Sequence, residues 1–534
     1  MPAHGRSLYQ PTPDQVLGAI PRRGAQRWPT RIALQFGGRG TTFAELEQHT
    51  ERVARALTDL GLVPGDRVAV LAPDSDHVYE LILGCARVGV VSLGINWRLA
   101  PPEIDFILED SGAKVLFVAP GQRDKLSPAR LSSLRAEVLM EPMEGPGGLP
   151  WPTFPEWRDR AHGPAPQHQA QPDDVVVQMY TSGTTGLPKG VMLAHRSFFA
   201  IRRNLAAAGD PWIGWCPEDV SLLDIPAFHI AGVWWAMTSL DEGARLVILP
   251  QFVAKRVLES IEQERVTQVF MVPAMLQMLL SEHSCARTDF SSLKTIVYGG
   301  SPIPASLLQR SLETFRCGFA QIYGLTETGN TAVCLRPSDH QRLEGEHVLA
   351  AGRPYPGVEI RIVDPSGNAL PERQVGEIWI HSPANMVGYW KRPEATEETL
   401  LEGWIRTGDA GFLDERGYVF VNDRLKDMIL YAGENVYPAE IESVLCAFPG
   451  VAEAAVIGIP DERWGERVLA LIVEKPGEKV PKPALLAHAR AHLADFKVPK
   501  EVQIRGPLPR TPSGKIKKAE LRAPFWQGRQ RQVN

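Results

Sequence analysis

Apolar residues recur along this chain with two periods, and the switches between them outline its organisation. Residues 31–118 mix both. "TTFAELEQ" sets Thr42 and Glu45 at capping-box spacing ahead of an amphipathic helical stretch, and "DRVAVLAP" is a short apolar run that fits a buried strand. From about Pro120 to Asp174 the pattern breaks. "EGPGGLPWPTFPEW" and "AHGPAPQHQAQPDD" are rich in Pro and Gly and predict irregular surface structure or a linker between subdomains.

Regularity returns at Asp174. "DVVVQMY" predicts a strand, and "GARLVILP", "VTQVFMVP", "LKTIVYGG" and "GFAQIYG" predict four more. Helical periods alternate with them in "VAKRVLESIEQER", "AMLQMLLSEH" and "PASLLQRSLETF", the last with Pro304 in its first turn. Continuous apolar strands alternating with helices predict a parallel sheet covered on both faces. After about Pro337, "VEIRIVDPSGN", "GEIWIHSP" and "GYVFVND" read as short strands with turns and predict a small antiparallel unit. From about Arg424 helices ("PAEIESVLCAF", "PALLAHARAHL") and strands ("EAAVIGIP", "RVLALIVE") mix again, which predicts a separate small α/β domain. No internal repeat is visible.

At 534 residues the chain is too long for one compact core. Hydrophobic residues at 44% and charged residues at 22% are ordinary for a globular protein, and a net charge of −5 argues against nucleic acid or an anionic membrane as partner. The six cysteines (Cys85, Cys216, Cys285, Cys317, Cys334 and Cys446) are scattered without metal-ligand spacing, so reduced thiols are expected. "MPAHGRSLYQPTPDQ" lacks the apolar core of a secretory signal, and no run of about 18 apolar residues occurs, so the expected setting is cytoplasmic with no transmembrane segment.

The strand "DVVVQMY" runs into Thr181, Ser182, Gly183, Thr184, Thr185 and Gly186, and then Pro188, Lys189 and Gly190. Glycines let backbone N–H groups converge, hydroxyls add donors, and Lys189 adds a point charge, so the loop is suited to phosphate. A flexible surface turn is the plainer reading, but it rarely follows a buried strand with this composition. It is not a Walker A loop, which needs Gly before the lysine and Ser or Thr after it; here Pro188 and Gly190 flank Lys189.

"YTSGTTGLPKG" resembles the phosphate-loop motif of the adenylate-forming superfamily, which holds acyl-CoA synthetases, luciferases and peptide-synthetase adenylation domains. "YGGSPIP", "QIYGLTETG", "GEIWI", "WIRTGD", "DRLKDMILYAGENVYPAEIE" and "PRTPSGKIKK" follow in that family's order and span most of the chain. The resemblance is nearest to fatty-acid and related carboxylate–CoA ligases. It implies a two-step reaction. A carboxylate attacks the α-phosphate of ATP to give an acyl-adenylate and pyrophosphate, and then a thiol displaces AMP.

The resemblance assigns roles residue by residue. Glu327 would ligate Mg²⁺ and Thr326 would hydrogen-bond phosphate; alone, Glu327 is an ordinary acid at a helix start. Tyr323 would stack on adenine, with Gly324 beside it and Gly299, Gly300 and Ser301 lining the other side. Asp409 would accept hydrogen bonds from the ribose diol, helped by Arg424, although the two read plainly as a turn aspartate and a surface arginine. His229 in "PAFHIAG" would gate the carboxylate site, although a lone histidine is more often structural. Trp234 and Trp235 follow in an expected helix, either lining the acyl pocket or packing the core. Lys515 in "TPSGKIKK" matches the lysine bridging the attacking carboxylate and the α-phosphate, while Lys517 and Lys518 read as a solvated face. Gly433 resembles the glycine of the pantetheine tunnel, with Ala432 where most relatives have a second glycine; Phe496 and Lys497 are weaker candidates for CoA contact.

These readings lead to an α/β enzyme. A large N-terminal adenylation domain (1–425) combines parallel or mixed βαβ subdomains with a small antiparallel unit. A small mobile α+β C-terminal domain (426–534) follows a hinge near Lys426. Its expected ligands are a small-molecule carboxylic acid, ATP, Mg²⁺ and coenzyme A. A homodimer is compatible with the sequence. The apolar segments "FHIAGVWW" and "FMVPAML" carry no fixed cation for a second carboxylate, which favours a monocarboxylic fatty or aryl acid. An aryl or hydroxycinnamate–CoA ligase, a luciferase-like oxygenase, an ATP-binding sensor without turnover, and transfer to a carrier-protein thiol stay open at this stage.

Overall fold

The computed structural model describes residues 12, 14–128, 133–142, 151–165, 168–181, 188–210, 214–340, 345–431, 434–461, 463–510 and 516–527. The expected capping box forms. The Glu45 N–H donates to Thr42 Oγ1 at 3.2 Å, and Glu45 Oε2 accepts the Thr42 N–H at 2.8 Å. It opens the helix Phe43–Asp59, which buries Phe43, Leu46, Val53 and Leu57 along one stripe. A cap of this kind contributes about 1 kcal/mol.

The strands expected as one parallel sheet divide between two. A seven-stranded sheet holds Arg67–Leu71, Val91–Gly94 and Val115–Val118 together with Val175–Thr181. A nine-stranded sheet holds Arg245–Ile248, Gln268–Met271, Thr295–Gly299 and Gly318–Tyr323, with Val220–Leu223 between the first two and the early strand Ile32–Phe36 beside Arg245–Ile248. Strand–helix alternation gives the parallel direction but not which sheet each strand joins. The largest core lies between the two sheets. It joins Val70, Val115 and Val177 of one to Leu223, Leu246, Phe270 and Val297 of the other, with the helical Tyr79, Phe199 and Trp235 among them.

Residues 120–174 are less irregular than their composition predicts. They contain the strand Ala136–Leu139, parallel to Val115–Val118, and the helix Phe154–Asp159, capped by Thr153 and Glu156. Pro and Gly marked the turns and hid the short elements between them. Pro304 is the N-cap residue of the helix Ala305–Phe315 rather than part of its first turn.

Glu359–Val363, Gly376–His381, Trp404–Leu413 and Val419–Arg424 form the antiparallel unit. Beyond it, Ile429–Tyr431, Glu434–Val436, Val451–Asp461, Gly465–Glu474 and Glu501–Arg505 build a fourth sheet covered by the helices Pro438–Cys446 and Lys482–His492. The core under those helices draws on Ile429, Ile441, Val456, Val468 and Leu485 and takes no described residue before Ile429. Polar contacts cross the junction: Asp423 Oδ2 accepts the Ala439 N–H at 2.8 Å, and Arg522 pairs with Asp427 at 3.2 Å. Among the described residues, no helix is long and apolar enough to cross a membrane.

Candidate active site

Val175–Thr181 and Lys189–Ala194 pair antiparallel, with Thr181 opposite Lys189. The hydroxyl-rich run therefore links two strands of a hairpin, not a strand and a helix as in a Walker A loop. Ser182, Gly183, Thr184, Thr185 and Gly186 lie outside the described residues, as do Gly433 and Lys515. Thr181 and Lys189 are half-buried at the loop end of the hairpin, and the Lys189 ammonium lies 5.2 Å from the centre of the Tyr389 ring.

The motif "QIYGLTETG" leaves the Gly318–Tyr323 strand and closes into a three-residue 3₁₀ turn, Thr326–Thr328. Thr328 Oγ1 accepts the Leu325 N–H at 2.8 Å and so caps the turn. Thr326 and Glu327 are half-buried at the C-terminal edge of the parallel strands, where open α/β sheets bind ligands. One Glu327 oxygen accepts the Tyr389 hydroxyl at 2.8 Å; the other accepts no hydrogen bond from a described residue. An anionic oxygen left open in this way suits a hard divalent cation such as Mg²⁺.

Three residues that are distant in sequence meet at Asp409. The Tyr323 hydroxyl donates to Asp409 Oδ2 at 2.7 Å, and Arg424 Nε lies 2.8 Å from Oδ1. The antiparallel register sets Asp409 opposite Arg424. A carboxylate offers about four acceptor positions, a number suited to a diol as well as to protein donors. Burial raises the Tyr323 hydroxyl well above the ordinary tyrosine value, and the Asp409 charge adds to it, so Tyr323 keeps its proton. Burial works against the Arg424 guanidinium, but the Asp409 and Glu327 charges outweigh it and hold its pKa above the usual arginine value.

The glycines next to this group serve different needs. A Cβ on Gly299 would sit 2.5 Å from the Ile322 carbonyl oxygen, so the neighbouring strand already demands glycine there. Gly300 has φ +84°, and a Cβ there would make only an ordinary contact with the Val272 side chain at 3.4 Å, which makes its left-handed backbone the requirement. Ser301 follows, exposed. A Cβ on Gly324 would meet the Asn330 carbonyl oxygen at 2.5 Å.

His229 is the N-cap residue of the helix Ile230–Asp241, with its ring 4.7 Å from that of Phe228. Its loop is tied across the core: the Ala227 N–H donates to Asp74 Oδ1 at 3.0 Å, and the Tyr79 hydroxyl donates to Asp74 Oδ2 at 2.6 Å. Burial pushes Asp74 up to about 7 against the pull of those two bonds. Trp235 does not face a pocket. It is 0% exposed, its indole N–H donates to the Leu222 carbonyl at 3.0 Å, and it packs on Trp215, Trp234 and Phe270. Of the two readings given to this tryptophan, core packing is the one the structure bears out.

Lys518 is not part of a solvated face. Its ammonium lies 2.9 Å from Glu442 and 3.7 Å from Asp423, while Lys517 is exposed. Lys497 pairs with Glu440 at 2.7 Å. Sequence reasoning missed Tyr389 and Asp74. Neither stands in a motif with recognisable chemistry, and only their contacts reveal them.

Residues 21–390 match the AMP-binding enzyme family, and residues 440–515 match the AMP-binding enzyme C-terminal domain. The chain is 48% identical over 513 residues to a fatty acid–[acyl-carrier-protein] ligase, ScoC, of Streptomyces coeruleorubidus, covering 96% of each chain. It is 39% identical to a feruloyl-CoA synthase of an Amycolatopsis species, over 96% of this chain and 99% of the relative. Among solved structures it is similar to the o-succinylbenzoate CoA synthetase MenE of Bacillus subtilis in complex with the acyl-adenylate OSB-AMP. That match has a TM-score of 0.81 and 32% identity, and covers 94% of this chain and 97% of the other. The chain belongs to the AMP-binding enzyme family and, within the adenylate-forming superfamily that its motifs resemble, is an AMP-forming acid–thiol ligase of the acyl-CoA synthetase class.

Proposed function

We propose that this enzyme activates a monocarboxylic acid, fatty before aryl, as its acyl-adenylate and then passes the acyl group to the thiol of coenzyme A. The observation that carries the reading is the meeting of Tyr323, Asp409 and Arg424 beside the Glu327 turn. There a nucleoside diol would find an acceptor, and a phosphate-bound Mg²⁺ a carboxylate ligand, a short distance apart. Asp409 would take the ribose hydroxyls and Arg424 would hold Asp409 in place. Lys189 would bring positive charge to the phosphates from the hairpin end. Mg²⁺ at Glu327 would offset phosphate charge as pyrophosphate departs. Lys515 would bridge the carboxylate and the α-phosphate, and Gly433 would border the path of the thiol.

The last two residues serve different steps, so we assign 1–425 and 426–534 as domains that rotate about Lys426 between half-reactions. The separate core beyond Ile429 supports that boundary. Lys515→Ala should lower adenylate formation by roughly 10²–10³-fold, the scale of removing a transition-state charge stabiliser. Given presynthesised acyl-adenylate and CoA, it should still form thioester at a near-normal rate. Equal loss in both assays would sink the role given to Lys515.

A second reading of the acceptor has an observation behind it: the 48% identical relative is named as a ligase for an acyl-carrier protein. A panel of fatty and aryl acids, scored first by pyrophosphate release and then by thioester formation on CoA or on a phosphopantetheinylated carrier protein, separates the two. Thioester on the carrier alone would overturn the CoA assignment. Absence of pyrophosphate release with every monocarboxylic acid would overturn the substrate class.

A further inference from the structure

Residues 386–390 bond to two motifs that lie far apart in sequence. Gly388 and Tyr389 pair antiparallel with Met192 and Val191 of the strand that leaves the phosphate loop. The Val387 N–H donates to Met192 O at 2.9 Å, and the Trp390 N–H donates to Gly190 O at 2.7 Å. On its other side the segment holds the metal-site turn, where the Met386 N–H donates to the Glu327 carbonyl at 2.8 Å. It is braced from behind. Arg196 donates to the carbonyls of Pro383 and Asn385, each at 2.6 Å, and Thr396 Oγ1 accepts the Tyr389 N–H at 2.9 Å.

Tyr389 carries this framework to the side chains. It is 8% exposed, its hydroxyl donates to Glu327 Oε1 at 2.8 Å, and its ring face lies beneath the Lys189 ammonium.

We infer that Tyr389 is a positioning residue for the divalent cation: it holds Glu327 by one oxygen, presents the other, and fixes the spacing between Glu327 and Lys189. The inference rests on the reading of Glu327 as the metal ligand. A half-buried carboxylate beside a polyphosphate is driven away from it until the cation arrives. A tyrosine hydrogen bond to the far oxygen opposes that swing without competing for the near one. Groups that orient a metal ligand in this way typically change metal affinity by about 10–100-fold when removed.

The test is Tyr389→Phe, which keeps the ring and removes only the hydroxyl. Mn²⁺ serves as a spectroscopic probe, titrated by electron paramagnetic resonance into enzyme saturated with a non-hydrolysable ATP analogue. Affinity should fall about 10-fold. The Mg²⁺ concentration giving half-maximal pyrophosphate release should rise by a similar factor, and the rate at saturating Mg²⁺ should fall less. Glu327→Gln is run alongside. Weakened Mn²⁺ binding in Glu327→Gln but not in Tyr389→Phe overturns the role of Tyr389 and leaves Glu327 as the ligand. Unchanged binding in both overturns the reading of Glu327 and the inference with it. If Tyr389→Phe does not fold, Tyr389→Met, which keeps an apolar side chain and removes the donor, should lower Mn²⁺ affinity in the same direction. No shift there overturns the inference as well.

Discussion

Asp409 and Asp224 are both buried aspartates, 4% and 2% exposed, in opposite surroundings. Asp409 sits on the nucleotide side of the site between a tyrosine hydroxyl and a guanidinium. Asp224 sits five residues before His229, at the end of the Val220–Leu223 strand, and neither of its oxygens has a hydrogen-bond partner among the described residues. The contrast extends to the regions around them. On the nucleotide side, polar groups from separate motifs satisfy one another: Tyr323 with Asp409, Tyr389 with Glu327. On the acyl side the chain closes with packed rings. Polar ligands need donors and acceptors fixed in advance, whereas an apolar chain needs only shape.

The largest effect that tests this contrast comes from the packed side. Trp235→Ala removes a fully buried indole, its contacts with Trp215, Trp234 and Phe270, and the N–H bond to Leu222. A loss of about 3–5 kcal/mol in unfolding free energy is expected, as for other large-to-small core changes. Denaturant titration measures it, and the acid-preference profile of whatever folds should match wild type. A shift toward bulkier acids with little loss of stability would return Trp235 to the pocket wall.

That case marks how far the sequence was legible. Motif chemistry located Glu327, Asp409, Tyr323 and Lys189, because a phosphate loop or a "YGLTETG" turn uses residue types that a bland loop does not. Periodicity found the strands and helices with the cleanest patterns but passed over the strands Val91–Gly94, Val115–Val118, Lys189–Ala194 and Val220–Leu223 and the helices Asp76–Arg87, Pro101–Ser111 and Arg196–Ala207. It could not assign strands to sheets, since Val175–Thr181 and Gln268–Met271 carry the same apolar pattern but lie in different ones. It also missed Tyr389, whose hydroxyl meets Glu327, 62 positions earlier, only once the chain has folded back. Lys518 looked like one of three solvated lysines, because its partners Glu442 and Asp423 lie far back in the sequence.

On the nucleotide side the expected effect is smaller in stability and larger in function. Asp409→Ala strips Arg424 and Tyr323 of their shared acceptor. Arg424 keeps some solvent contact, so the loss of the ion pair itself is screened. Hydrogen bonds to a charged group contribute about 1.5–3 kcal/mol each. ATP-dependent pyrophosphate release should therefore fall by one to two orders of magnitude, mainly through the ATP KM, while the melting temperature moves little. A variant that melts many degrees lower but keeps its ATP KM would make Asp409 a fold residue and erase the contrast.

The smallest effect belongs to Asp224, and its sign depends on pH. Burial pushes its pKa from the usual aspartate value to about 8. Below about pH 4 both folded and unfolded chains hold the proton, so the group adds no pH dependence. Between pH 4 and 8 the folded chain keeps a proton that the unfolded chain has released, and stability falls as pH rises through that window. Above 8 the folded carboxylate is ionised without a partner and the penalty is complete. Asp224→Asn replaces the carboxyl with a neutral group of the same shape that cannot ionise. At about pH 3 variant and wild type should unfold at nearly the same denaturant concentration, because both states of wild type then hold the proton, and the difference should open steadily above about pH 4. At pH 8.5 the variant should be the more stable by about 1–3 kcal/mol, the scale of leaving a buried polar group unsatisfied. Asp74 is raised in the same way but is present in both proteins, so it cancels from the difference. Parallel unfolding curves at four or five pH values measure that difference directly. If it stays flat from pH 5 to 8.5, Asp224 has found a partner in solution, and the two aspartates are finished alike.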